Sequence, residues 1–259
     1  MKDKHSRTPD RATSAPARAG LARALSKLGY CSRSQAFELV RQGKVRLNGN
    51  ATRNPETPVR VGIDRIEVQG TPVAAAEKIY VLLNKPRGVV TTVSDEKGRA
   101  TVYSLLPSRL QWIAPVGRLD KASEGLLLLT NDSGWAARIT APETHLDKTY
   151  HVQIAALPGD SLLEALERGR ETPNGELLRV KRARPLRAGA KNSWVEIVLD
   201  EGKNRHIRRL FDTLGIEVLR LVRVAIGPLQ LGGLAKGAHR PLRPDEKTAL
   251  DRAMESAAR

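Results

Sequence analysis

Cysteine occurs once in 259 residues, at Cys31, so the chain can form no internal disulfide and no cysteine-based zinc site. A reducing compartment fits that usage. Aromatic residues make up 3% of the chain, which argues against a nucleic-acid platform built from many stacked rings. Apolar runs are short, 126–129 being one, whereas crossing a bilayer takes about 20 such residues. The first residues also lack the apolar core of a signal peptide. The expectation is a cytoplasmic protein with no membrane partner. Glycine-rich phosphate loops of the dinucleotide and P-loop patterns are missing, as is any repeat of fixed period, so no nucleotide cofactor is called for. Acidic residues are scarce as well: 28 against 44 lysines and arginines, a formal net charge of +16. Such an excess points to a polyanionic partner. With 40% hydrophobic residues, the chain can still build a core, as one large domain or two unequal ones.

Residues 1–19 mix Ser, Thr, Pro, Ala and charge without apolar periodicity and are expected to form a disordered basic tail. From Leu21 the pattern changes. Leu21, Leu25 and Leu28 mark one face of a short helix that Gly29 ends. Ser32 and Gln35 then form a capping-box signature, Ala36, Leu39 and Val40 make a buried stripe, and Gly43 closes the second helix. An alternating stretch leads to Asn48-Gly49, a strong hairpin signal. This helix-helix-hairpin unit, expected over 20–69, exposes Arg33, Arg41, Lys44 and Arg46 as one basic surface. The stretch LARALSKLGYCSRSQAFELVRQGKVRLNGNATRNPETPV resembles the S-four RNA-binding domain. That resemblance implies docking on structured RNA through phosphate and shape.

Residues 70–77 are small and turn-rich and read as a linker. The segment 78–245 reads as a second, larger α+β domain, with strands near 79–83, 126–129, 151–154, 194–199 and 219–224 and helices near 161–168 and 205–214; 246–259 is left as a C-terminal tail. Its most unusual stretch is GRLDKASEGLLLLTND, a polar loop leading into a wholly apolar strand. Gly117 and Gly125 allow close backbone approach, and the buried strand would hold Asp120 rigidly at a sheet edge. On pattern alone, Asp120 is a catalytic carboxylate or a turn cap. Glu124 is expected to face solvent, with a second role as a paired carboxylate as the alternative. In EGKNRHIRRLF, helical spacing sets Ile207, Leu210 and Phe211 on one side and Arg205, Arg208 and Arg209 together on the other, an arrangement suited to phosphate or to fixing a carboxylate. Tyr150 reads as core or as a stacking ring. His145, His151 and His206 match no zinc spacing.

GRLDKASEGLLLLTND, then KTY, then EGKNRHIRRL, with NKPRGVV upstream, resemble in order the motifs of the RsuA family of ribosomal RNA pseudouridine synthases. The resemblance covers roughly 20–245. It implies a mixed, mainly antiparallel sheet domain after the S-four unit, with a cleft between two halves. It also implies isomerisation of a chosen uridine in ribosomal RNA without metal or organic cofactor. By the same resemblance Asp120 starts glycosidic cleavage, Tyr150 packs on the flipped base, Arg208 pairs with Asp120 and Ile207 lines the base pocket. Arg118 would enter the RNA stack or bind a neighbouring phosphate, and Lys85, Arg87, Arg205 and Arg209 would hold the RNA backbone. The implied partner is ribosomal RNA or a pre-ribosomal particle, met by a monomer. Ser123-Glu124 departs from the form often found in this loop, so small- and large-subunit RNA both stay open. Competing readings are a noncatalytic RNA-binding factor, against which Asp120, Tyr150 and Arg208 argue, an RNA methyltransferase, which needs the missing glycine-rich loop, and a glycosidase using Asp120 and Glu124.

Overall fold

A computed structural model describes residues 18–92, 98–108, 110 and 112–256, which divide into two compact units at Ala76/Glu77. The expected tail therefore lies outside the described residues, except that Arg18 and Ala19 belong to a strand.

In the first unit β1 (Arg18–Gly20) pairs antiparallel with β4 (Pro58–Arg60). Helix α1 (Leu21–Lys27) ends where Gly29 takes a φ of +78°, which lets the Tyr30 amide bond back to the Leu25 carbonyl. Helix α2 (Arg33–Arg41) starts on the expected capping box: Ser32 Oγ accepts from the Gln35 amide at 3.1 Å while the Ser32 amide donates to Gln35 Oε1 at 3.0 Å. The hairpin of β2 (Val45–Leu47) and β3 (Asn50–Thr52) turns on Asn48 and Gly49, both at positive φ. Leu21, Leu25, Ala36, Val40, Val45, Ile66 and Val68 form the core, and Arg33, Arg41, Lys44 and Arg46 are exposed as expected.

The stretch read as a linker is partly sheet. β5 (Ile66–Val68) pairs with β2, and β6 (Thr71–Pro72) adds to β5, completing the order β3-β2-β5-β6. Val73 and Ala76 amides bond back to Ile66 and Leu28, so the unit runs on to Ala76.

The second unit is built on a nine-stranded sheet. Its strands are β7 (Tyr80–Lys85), β8 (Ala114–Val116), β9 (Glu124–Thr130), β10 (Lys148–Ile154), β13 (Arg182–Ala188), β14 (Ser193–Leu199), β15 (Val218–Ile226), β16 (Leu229–Gln230) and β17 (His239–Pro241). The order is β13-β14-β10-β15-β9-β7-β17, with β16 beside β15 and β8 beside β9; a separate ribbon joins β11 (Arg170–Glu171) to β12 (Leu177–Leu178). All pairs are antiparallel except β9 with β15, which touch in parallel only at Glu124↔Val222 and Gly125↔Arg223. The sheet is thus mixed and mainly antiparallel, two halves meeting at a short seam.

β9 is buried along its whole length because both faces are covered. Leu126 and Leu128 pack with Leu82, Trp135, Ile226 and Leu250 on one side; Leu127 and Leu129 pack with Val81, Leu83, Val102 and Leu119 on the other. Helix α3 (Ser133–Thr140), capped by the Asp132 side chain, contributes Trp135 and Ile139. Across the seam, α4 (Asp160–Arg168) and α5 (His206–Thr213) cover Val152, Ile154, Val195 and Ile197 with Leu166, Leu210 and Phe211. The supposed C-terminal tail is helix α6 (Pro244–Ser256), with Asp245 and Glu246 in its first turn and Leu250 and Met254 buried in the core. Residues 257–259 lie outside the described ones.

Candidate active site

The loop 117–123 runs between β8 and β9 and is pinned through its backbone. Five successive carbonyls, of residues 119–123, are bound. Thr91 Oγ1 donates to Leu119 at 2.8 Å, Lys85 Nζ to Asp120 at 3.0 Å and to Ser123 at 2.8 Å, the Gly88 amide to Lys121 at 2.8 Å and Arg208 Nη2 to Ala122 at 3.2 Å. The Leu119 side chain is buried in the core below. Backbone groups held this way leave the half-buried Asp120 side chain as the variable part of a fixed frame.

Lys85 corrects one expectation. It is fully buried, its third bond going to the Pro86 carbonyl at 3.1 Å, so it supports the loop and does not reach an RNA backbone. Burial pulls its ammonium down to about 8, against the raising influence of the Asp120 and Glu124 charges. Carbonyl dipoles stand in for water around the buried cation.

The helix carrying the arginines begins at His206, and Arg205 caps it from outside at a φ of +48°. Arg205, Arg208 and Arg209 therefore do not share one face. Arg208 turns to the Asp120 loop and also donates to the Val218 carbonyl at 3.0 Å, while Arg209 turns away to an ion pair with Glu176. Arg208 holds the backbone two residues beyond Asp120 without ion-pairing to its carboxylate. Burial, the largest influence, and then the charge of Arg205 lower the Arg208 pKa, while the charge of Asp120 acts the other way.

A cleft of about 400 Å³ brings Asp120 together with Arg118, Tyr150, Arg205 and Ile207. Arg118 and Arg205 are exposed, Tyr150 is half-buried and Ile207 is buried. Arg87 is exposed on the turn after β7 and is not part of the cleft lining.

Among the cleft residues not singled out from the sequence are Lys148 and Arg223. Burial, and the neighbouring Arg223 charge, lower the Lys148 pKa. Arg223 is 6% exposed; its Nε donates to the Leu126 carbonyl at 2.8 Å and its buried Nη2 has no hydrogen-bond partner among the described residues. The signal for it was Gly125: at a φ of +101° a Cβ there would overlap the Arg223 backbone, so the glycine is what lets β9 and β15 touch. Glu124, expected in solvent, is 3% exposed and ion-paired with Arg220 and Lys236. It faces away from the cleft and cannot act as a second carboxylate beside Asp120.

A pinned carboxylate in a basic cleft, in a chain that also carries a helix-helix-hairpin unit with exposed cations, defines a protein of the RNA-modifying class. Residues 20–63 match the S4 domain model, and residues 79–213 match the model described as RNA pseudouridylate synthase. Ribosomal large subunit pseudouridine synthase B of Bacillus subtilis (strain 168) is 39% identical over 232 residues, covering 89% of this chain and 94% of that protein. An uncharacterized RNA pseudouridine synthase of Aquifex aeolicus (strain VF5) is 36% identical over 89% of this chain and 92% of its own length. A crystal structure of a pseudouridylate synthase superposes with a TM-score of 0.64 at 30% identity, covering 90% of this chain and 99% of that one. The chain belongs to the RNA pseudouridylate synthase family and is a pseudouridine synthase.

Proposed function

We propose that the protein converts one uridine of ribosomal RNA to pseudouridine, acting on free RNA or on a pre-ribosomal particle as a cytoplasmic monomer. The observation that carries the reading is the Asp120 loop, whose five bound carbonyls fix a carboxylate at the mouth of a basic cleft. Large-subunit RNA is the first substrate to test, because the Bacillus relative named for that subunit matches along nearly the whole chain.

The reaction breaks the bond from ribose C1′ to uracil N1, turns the base within the cleft and forms a bond from C1′ to C5; the C5 proton is lost and N1 gains one. Asp120 begins it, by attack on C1′ or by taking the C2′ proton. A 2′-deuterated uridine separates the two routes, since only the second gives a primary isotope effect. Tyr150 and Ile207 hold the detached base between a ring and an aliphatic wall. Arg118 fills the gap in the RNA stack, offsetting an unstacking cost of a few kcal/mol. Arg208 keeps the loop in register, Arg87 and Arg205 contact phosphates near the cleft, and Arg33, Arg41, Lys44 and Arg46 bind RNA on the first unit.

The test is chemical mapping of pseudouridine across total ribosomal RNA from cells with and without the gene, complemented by wild type or Asp120→Asn. One site should disappear and return only with wild type. The variant should keep RNA affinity within a few-fold, since it removes one carboxylate charge. A map with no changed site overturns the reading.

A further inference from the structure

The half of the sheet formed by β13, β14, β10 and β15 has one face under α4 and α5 and another on which, among the described residues, no helix packs into that core. Side chains alternate across each strand, so Tyr150 and Arg223 point toward the cleft while His151, Val222 and Val224 point the opposite way. On that reverse face Thr149, His151, Gln153, Trp194, Val222 and Val224 are all partly exposed.

The chemistry of this face is distinctive in a chain with only three tryptophans. Trp135 is 2% exposed in the core, whereas Trp194, like Trp112, is partly exposed. The guanidinium of Arg187 lies over the Trp194 ring at 5.1 Å from its centroid, and that of Arg220 at 5.4 Å. Pro185 and a register shift in β13 bring Arg187 opposite Trp194. Two residues along β14 from Trp194, Glu196 borders a hollow of about 610 Å³ together with His151, Arg182 and Arg184. The two carboxylates here are already engaged: Glu196 with Arg182 and Arg184, and Glu124 with Arg220 and Lys236. Five cations thus face two neutralised acids, and Arg182, Arg184 and Arg187 are exposed along one strand. An open sheet face with a cation-flanked ring, a hollow large enough for a base and excess positive charge complements single-stranded nucleic acid, which offers a flat ring and a phosphate at every step.

We propose that this reverse face, centred on Trp194 and Arg187, binds a second, unpaired segment of the same RNA whose uridine enters the Asp120 cleft. The inference rests on the RNA-substrate reading above. A segment here lies across the sheet from the reaction, so it adds affinity and selects long RNA without touching the reacting nucleotide.

The experiment compares wild type with Arg187→Glu/Trp194→Ala and with Trp194→Phe. The RNAs are a large-subunit transcript and a short stem-loop around the mapped uridine. Thermal unfolding verifies that each variant folds. The double variant should bind the long transcript about tenfold more weakly, with a salt dependence shallower by about one unit of slope. Its kcat/KM on the stem-loop should stay within twofold, and Trp194→Phe, which keeps a ring, should recover most of the lost affinity. Ultraviolet cross-linking of the wild type should place the long RNA on the Trp194 peptide. Equal affinity and equal salt slope for the long transcript would overturn the proposal. So would loss of binding to an acidic ribosomal protein with RNA binding intact, since that assigns the face to a protein. Failure of the wild type to isomerise any uridine would sink the functional reading alone, because affinity, salt slope and cross-link are read without turnover.

Discussion

The buried ammonium of Lys85 donates to the backbone oxygen of Asp120, 3.0 Å away across 35 residues of sequence. One charged side chain at the end of β7 thereby sets the height of the loop that carries the Asp120 carboxylate.

Replacing Lys85 by Met removes the ammonium donor to the Pro86, Asp120 and Ser123 carbonyls, of which Asp120 keeps only the Ser123 amide. The expected loss is about 2–3 kcal/mol of stability, with kcat falling more than KM changes. The pH dependence has a definite sign. The folded-state pKa of Lys85, about 8, lies below the ordinary lysine value. Between the two the unfolded chain holds the extra proton, so this group makes the fold more stable as pH rises through the window. Urea midpoints at about pH 7, 9 and 10 should show wild type gaining on Lys85→Met.

Arg208→Ala removes the donor to Ala122 and Val218 and frees the loop just past Asp120. A displacement of that kind costs about 100-fold in turnover. Arg208→Lys can still reach one carbonyl and should fall between the two. Single-turnover rates with saturating RNA decide this, and an Arg208→Ala enzyme within twofold of wild type would show that the loop holds its shape alone.

Glu124 gives an acid-side counterpart. Burial disfavours its carboxylate, but the hydrogen bonds and charges of Arg220 and Lys236 outweigh burial and keep its pKa below the usual glutamate range. Its contribution is present above the unfolded pKa of about 4.3 and is lost as pH falls through the folded value. Glu124→Gln should be less stable at neutral pH, and its difference from wild type in urea midpoint should narrow on acidification. A constant difference from about pH 6 to 3 would mean the ion pairs add nothing.

What the sequence revealed was local. The Ser32/Gln35 cap, the Asn48-Gly49 hairpin and the buried 126–129 strand are written within a few residues, and each formed as expected. Lys85 and Glu124 were misread because charged residues ordinarily face water, and their partners lie 35 and about a hundred residues away. The shared face expected of Arg205, Arg208 and Arg209 failed because the helix starts one residue later and Glu176, far off in sequence, draws Arg209 aside. The C-terminal helix did carry a signal, Pro244 at its start with Leu250 and Met254 one turn apart, that a tail reading passed over.

The seam at Gly125 and Arg223 also sets a timetable. Glu124 cannot meet Val222 until nearly a hundred further residues have been made, and closing so long a loop comes late in folding. The first unit, complete by Ala76 and short-ranged in its contacts, can form while the ribosome is still translating the rest. A nascent chain therefore gains its RNA-binding domain well before its chemistry, since the seam beside the Asp120 loop closes only after Arg223 has been made.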